Sequence, residues 1–261
     1  MKKFLRNCFE AIIGAIKYLY WFCLGFGYRC NIFSIYRVPI IINNFNRLTF
    51  PLQLIAFLEK CGLTNIIILD NNSTYPPLLK FYETCAYKVV RERSNHGHLA
   101  FWKSGLYNIY KWNYFVYTDS DVVPIAECPA NFIVKFKETL DKYKSLDKIG
   151  FGIKIDDLSD RFQFKPEVIT YEKRYWEKQI APNLYDAPID TTFALYKPFS
   201  NLIYDQAYTL KCFRFGFPYL IKHLPWYMDT IKMTEEDIYY INTSNLSSSL
   251  SQQMRGEQKI Y

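Results

Sequence analysis

The chain has 261 residues, half of them hydrophobic and 19% aromatic, with a formal net charge of +7. That apolar share supplies a sizeable core and excludes a disordered chain, and Lys and Arg are scattered rather than striped, which argues against a nucleic-acid partner. Seven cysteines, odd in number and without a Cys-x-x-Cys pair, read as small buried hydrophobes in a reducing compartment rather than a disulfide framework or zinc site.

Residues 1–34 form the first unit. Lys2, Lys3 and Arg6 precede a mostly apolar stretch from Phe9 to Tyr28, broken by Glu10 and Lys17. No Ala-x-Ala cleavage site follows, which argues against a signal peptide. Phe4, Leu5, Ile12, Ile13, Ile16, Leu19 and Tyr20 recur at helical spacing, as in a helix lying on a membrane surface with a basic flank. Packing on the protein's own core and a membrane span are the alternatives, the span being weakened by its two charges.

From Tyr36 the pattern alternates. Val38–Ile42 reads as a buried strand, Leu48–Lys60 as an amphipathic helix stopped by Cys61-Gly62, and Asn65–Leu69 as a second strand ending in Asp70-Asn71-Asn72-Ser73. A helix over Pro76–Tyr87, a strand over Lys88–Arg91 and a helix over Phe101–Lys111 follow. Tyr114–Tyr117 is then the strand that delivers Asp119-Ser120-Asp121. Strands alternating with helices imply a parallel α/β sheet, which binds ligands at the carboxyl ends of its strands. The second half is less regular. It predicts a helix over Asn131–Tyr143 and a strand over Lys148–Ile155. Tyr171–Glu177 reads as helix or loop, Ala187–Tyr196 as a strand, Phe213–His223 as two short strands around a turn, and Thr234–Asn242 as a capped helix. Residues 244–261, rich in Ser and Gln, are expected to form a polar mobile tail.

Two carboxylates at a strand end, one residue apart, can face a single point. Their hard oxygens suit Mg²⁺ or Mn²⁺, ions that share their shell with phosphates. An ordinary Asp-rich turn is the competing reading of this tripeptide.

In order and spacing, the strand ending Asp70-Asn71-Asn72-Ser73, the His96-Gly97 segment, Asp119-Ser120-Asp121 and the block His223-Leu224-Pro225-Trp226-Tyr227 resemble GT-A nucleotide-sugar glycosyltransferases. The strand-Asp-Asn-x-Ser signature looks like that of the family 2 enzymes, a class found in bacterial capsule and lipopolysaccharide synthesis, and the resemblance runs from about Arg37 to His223. It implies a Rossmann-like, mostly parallel sheet flanked by helices and a less regular acceptor half. The catalytic domain would cover 35–243, with the nucleotide carried by 35–125 and the acceptor by 126–243.

The same resemblance implies Mn²⁺ or Mg²⁺ held by Asp121 and His223, with Asp119 on the ribose or on a water of the metal. Asp70, Asn71, Asn72 and Ser73 would contact the nucleotide, with Asn43, Phe45, Arg47 and Ser120 in the same pocket and Arg47, His96 and Lys103 as phosphate partners. An Asx-turn is the plain alternative for the second-strand residues, and a structural hydrogen-bonding role for His223. Asp190, a carboxylate in an apolar run, is the first candidate for the general base or else binds the donor sugar's hydroxyls, with Glu235, Glu236 and Asp237 as rivals and Asp156-Asp157 as a solvated turn or an acceptor-side pair. Trp102, Trp176, Trp226 and Tyr227 are either sugar-stacking surfaces or core.

The expected function is metal-dependent transfer of a sugar, UDP-linked before GDP-linked, to a glycan or lipid-linked acceptor at the inner face of the cytoplasmic membrane. A sugar-phosphate nucleotidyltransferase and an inactive carbohydrate-binding scaffold are the alternatives. The first of these usually carries a Gly-rich phosphate loop, which the sequence lacks.

Overall fold

The computed structural model describes residues 12, 13, 15, 16, 18–20, 23, 34–200, 210–245 and 248–256. The expectations placed on Lys2 to Arg6 and on 257–261 fall outside them.

Four strands, β1 (Ile40–Asn44), β2 (Ile66–Asp70), β3 (Lys88–Arg91) and β4 (Phe115–Asp119), run parallel in the spatial order β3-β2-β1-β4. Ile40, Ile41 and Ile42 are fully buried, as a strand covered on both faces requires. The crossovers are α1 (Thr49–Lys60), α2 (Pro76–Thr84) and the short pair α3 (Ala100–Lys103) and α4 (Leu106–Tyr110). The single helix expected over Phe101–Lys111 is therefore two, because Gly105 sits at φ +80° between them.

Beyond β4 come β5 (Val122–Pro124), α5 (Phe132–Lys142), β6 (Lys148–Ile153), α6 (Lys165–Lys173), β7 (Gln179–Ala181), β8 (Leu184–Tyr185), β9 (Ala194–Tyr196), β10 (Cys212–His223), α7 (Glu235–Thr243) and α8 (Ser249–Met254). One sheet holds the ten strands of the described residues in the order β3-β2-β1-β4-β9-β6-β10-β8-β7, with β5 paired to β10. Strand β9 lies antiparallel between β4 and β6, and β6 is parallel to β10. The α/β arrangement expected is the one observed: one sheet, parallel through its first half and flanked by helices.

Apolar side chains fill both faces. Leu54 and Leu58 of α1 meet Phe132 and Phe136 of α5 on one face. Phe101, Phe115, Tyr117 and Tyr196 pack on the other, where the rings of Phe115 and Tyr196 stack at 4.9 Å. Gly150 lets β6 and β9 close up, since a Cβ there would lie 2.3 Å from the Phe193 carbonyl oxygen.

Three further expectations change. Only Ala194–Tyr196 of the Ala187–Tyr196 run is strand, because the backbone before it is bound by buried side chains rather than by a neighbouring strand. Phe213–His223 is one long strand, not two, and absorbs its irregularity as a register shift between Phe215 and Leu220. The polar stretch after 244 includes α8, whose Leu250, Ser251 and Gln252 are buried. Ser248 caps that helix, and Arg255 donates to the Ile241 and Ser244 carbonyls. Tyr171–Glu177 resolves as the end of α6 and a 3₁₀ turn at Arg174–Trp176.

Described residues between 12 and 23 are helical and expose Ile12, Ile13, Ile16 and Leu19, while Tyr18 packs edge-on against Trp112 at 4.4 Å. Among the described residues no helix is long and apolar enough to cross a membrane. Their cysteines are free, with Cys61, Cys128 and Cys212 buried, Cys85 partly buried and Cys23 exposed.

Candidate active site

A cavity of about 440 Å³ opens at the carboxyl edge of β1 and β4. Strand register builds its floor: Asn43 of β1 lies beside Asp119 of β4. The chain then turns through Ser120 and Asp121 into β5, where Val122 pairs with His223 at the end of β10. That pairing brings together residues a hundred positions apart, leaving His223 Nε2 3.5 Å from Asp121 Oδ2. The segment before β9 crosses above. Asp119 N–H donates to the Thr191 carbonyl at 3.0 Å, and the Thr191 hydroxyl donates to Asp119 Oδ2 at 2.7 Å. Asp190 and Thr192 line the cavity on either side.

The electrostatics are one-sided. Asp119, Asp121 and Asp190 line one space together with Glu172, while the only Lys or Arg side chains of the described lining are Arg47 and Arg214. Both are already engaged: Arg47 pairs with Asp237, and Arg214 Nη1 lies 2.8 Å from Glu172 Oε2. Burial pushes the Asp119 carboxyl well above its ordinary value, helped by the charges of Asp121 and Asp190 and opposed by hydrogen bonds from Thr191 and Asn43. Asp121 Oδ1, His223 Nδ1 and Asn43 Oδ1 are buried with no hydrogen-bond partner among the described residues. Such orphaned atoms are costly unless a ligand meets them.

Two carboxylates and an imidazole form a donor set that fits Mn²⁺ or Mg²⁺. No group of three or more His, Cys, Asp or Glu among the described residues is arranged to hold a metal by itself. A metal held by these donors would keep positions for phosphate oxygens.

The other expected residues divide. Asn43, Phe45, Arg47, Asn71 and Ser120 line the cavity with the acids and His223. Asn71 is spent on the Gly97 carbonyl and the His96 N–H, which pins the following turn. Arg47 serves as a tie rather than a phosphate partner, being 2% exposed and held between the Phe50 and Tyr240 rings.

Asp70, Asn72, Ser73, His96 and Lys103 do not line the cavity. Asp70 is fully buried and accepts from Ser73 N–H, the Tyr82 hydroxyl and Arg91 Nε, so its oxygens hold the second-strand turn together. Ser73 Oγ accepts the Asn46 N–H, and Asn72 is exposed at φ +66°. The His96 ring turns back to Ser94 and Glu92, and Lys103 is exposed on α3. Among the rival acids, Glu236 accepts from the N-terminal N–H groups of α1 and Asp237 is bound by Arg47. Asp156 and Asp157 pair with Lys154, and Asp157 also with Lys222. Of the aromatics, Trp226 lines the cavity, Trp102 and Trp176 pack in or against the core, and Tyr227 donates to Asp157.

Sequence reasoning missed His98, Tyr171, Glu172, Tyr175, Arg214 and Tyr240, all of which line the cavity. Only His98 had a local signal, in the Asn95-His96-Gly97 turn; the rest arrive through α6 and the 3₁₀ turn after it, β10 and α7.

No protein-family model matches the chain, and no curated protein is matched by its sequence. Solved structures resemble it in part. GalNAc-T7 with UDP, GalNAc and Mn²⁺ is 12% identical at a TM-score of 0.45, over 71% of this chain and 42% of that one. S. aureus TarS is 16% identical at 0.31, over 45% and 21%. The 1–349 form of S. aureus TarS is 15% identical at 0.32, over 48% and 39%. The chain thus spans less than half the length of each of these proteins.

Proposed function

We propose that the chain is a metal-dependent glycosyltransferase. In this reading it moves a sugar from a nucleotide-sugar donor, UDP-linked first, to a glycan or lipid-linked acceptor in cell-surface polysaccharide synthesis. The catalytic domain is 35–243, and the first 30 residues supply peripheral contact with the inner face of the cytoplasmic membrane. One observation carries the reading. Three carboxylates face a cavity at the sheet's carboxyl edge while the lining's guanidinium groups are already ion-paired. A diphosphate entering there meets no spare cation from those groups, which supports a divalent ion as the source of the missing positive charge.

Asp121 and His223 would hold that ion, with Asp119 beside them fixed by Thr191. When bound, the ion neutralises charge developing on the departing diphosphate. Asn43 Oδ1 is an acceptor for a ribose hydroxyl. Asp190 takes the proton of the attacking acceptor hydroxyl as the new bond to the anomeric carbon forms and the bond to the diphosphate oxygen breaks. The phosphate leaving group keeps the electron pair of the broken bond.

Isothermal titration with UDP, GDP and CMP, each with and without Mn²⁺, tests the reading. We expect UDP to bind only with Mn²⁺, and Asp121→Ala to weaken that binding by about 10- to 100-fold. Metal-independent binding, or an Asp121→Ala protein that binds normally, overturns it. Product analysis of UDP-sugar turnover separates sugar transfer from nucleotidyl transfer.

A further inference from the structure

Lys148, the first residue of β6, is fully buried under the segment that carries Asp190. Its Nζ donates to the Ile189 carbonyl at 2.6 Å, to the Asp190 carbonyl at 3.2 Å and to the Tyr196 hydroxyl at 3.3 Å. An ammonium has three N–H donors, and these three acceptors use them all. One residue earlier, Arg214 Nε donates to the Pro188 carbonyl at 2.5 Å. The Cys212 thiol donates to the Ala187 carbonyl at 3.4 Å, and its sulfur accepts the Ile189 N–H. Four successive carbonyls of an irregular segment are therefore bound by buried side chains of β6 and β10.

A buried, charged lysine is an expensive way to satisfy carbonyls, and a neighbouring strand would do it without the desolvation cost. A strand would also face alternate residues away from the cavity. The clamp instead leaves Asp190 and Thr191 facing it, with Thr191 bound to Asp119 on the far side.

We propose that Lys148 is the positioning residue of the active site: its ammonium, by holding the Ile189 and Asp190 carbonyls, fixes the direction of the Asp190 carboxylate and the seat of Thr191 on Asp119. The inference rests on the proposed role of Asp190 and names the device that sets it. Burial pushes Lys148 down to about 8. Cys212, Asp190 and Asp119 pull the other way, Arg214 adds to the depression, and the Tyr196 phenol in contact stays protonated well above its usual range. Deprotonation leaves two donors for three acceptors, so the segment loosens as pH rises through about 8.

The effect on stability has the opposite sign. The native value lies below the usual 10.5, so between about 8 and 10.5 the unfolded chain holds the extra proton. This group's contribution to stability therefore rises with pH across that window. A merely structural lysine would move turnover and stability together.

Amide hydrogen exchange of segment 187–193 in the full chain, corrected for intrinsic rates, is the test. It is run on the wild type from pH 7 to 9.5 and on the near-isosteric Lys148→Met at pH 7. We expect protection to fall by roughly tenfold in Lys148→Met, and in the wild type as pH crosses about 8. Wild-type melting temperature should meanwhile gain on that of Lys148→Met as pH rises. Where a UDP-hexose is turned over, kcat should fall by roughly 10- to 100-fold in the variant with KM little changed.

Protection that is unchanged in the variant and flat with pH in the wild type overturns the proposal. Should Lys148→Met fail to fold, the wild-type pH series decides alone. If Asp190→Asn keeps full turnover while Lys148→Met still loses protection, the base assignment has failed and the clamp stands.

Discussion

At the residue scale, the site depends on which carboxylates keep an oxygen for a ligand. Asp70 ends β2 and Asp121 lies two residues past the end of β4, and both follow an apolar run that predicts a ligand-facing acid. Asp70 spends its oxygens on Arg91, Tyr82 and Ser73, whereas Asp121 keeps an orphaned Oδ1 beside His223. Asp190 meets the cavity from an irregular segment, and its proposed work is proton acceptance. Asp190→Asn is therefore expected to lower kcat by roughly 10²- to 10⁴-fold and leave Mn²⁺-dependent UDP binding within a few-fold. Steady-state kinetics beside the nucleotide titration checks this; an unchanged kcat removes Asp190 from the base role. The Asp119-Ser120-Asp121 motif was legible because strand and acids are contiguous. The fate of Asp70 was not, because Arg91 and Tyr82, which occupy its oxygens, come from β3 and α2.

At the element scale, α7 does more than cap itself. Thr234 and Asp237 form a capping box at the start of the capped helix expected there. Asp237 also pairs with the buried Arg47, and Glu236 binds the first N–H groups of α1. Through these contacts α7 ties the end of the chain to the loop after β1 and brings Tyr240 over the cavity. Removing one partner of a buried ion pair leaves the other uncompensated. Asp237→Ala should thus cost about 3–5 kcal/mol, read as a shift in urea midpoint without a change in slope. A loss below about 1 kcal/mol would show that Arg47 finds solvent instead. Helix α1 and strand β3 could be drawn from the sequence nearly to the residue, since hydrophobic period and a glycine stop act locally. Strand β10 could not, because the continuity of a twelve-residue strand through Gly216 and Pro218 depends on β6, β8 and β5 pairing along it.

At the scale of the whole molecule, the residues described near the N-terminus stand apart from the α/β body. Ile12, Ile16 and Leu19 are each more than half exposed, at 57%, 63% and 61%, and Tyr18 meets the body at Trp112. Exposed aliphatic side chains beside a basic flank are suited to an anionic lipid surface. The full chain is expected to co-sediment with vesicles containing phosphatidylserine or phosphatidylglycerol, and less with purely zwitterionic ones. An Ile16→Asp/Leu19→Asp double variant should lose most of that binding while keeping Mn²⁺-dependent UDP binding. Equal sedimentation of the variant and the wild type removes the lipid contact from the reading.

By itself, the sequence determined the parallel α/β half, the carboxyl edge at which the cavity opens, and the acids at and just past the end of β4. These follow from alternation, strand burial and contiguous motifs, all of which act over a few residues. Only the tertiary structure decided which polar groups face the cavity and which brace it. It turned Arg47, Asp70 and Ser73 into framework, set His223 against Asp121 through the pairing of β5 with β10, and placed Lys148 and Arg214 behind Asp190. The physical reason is that a polar side chain's role is fixed by whichever partner satisfies it first. Those partners lie up to 190 residues away along the chain.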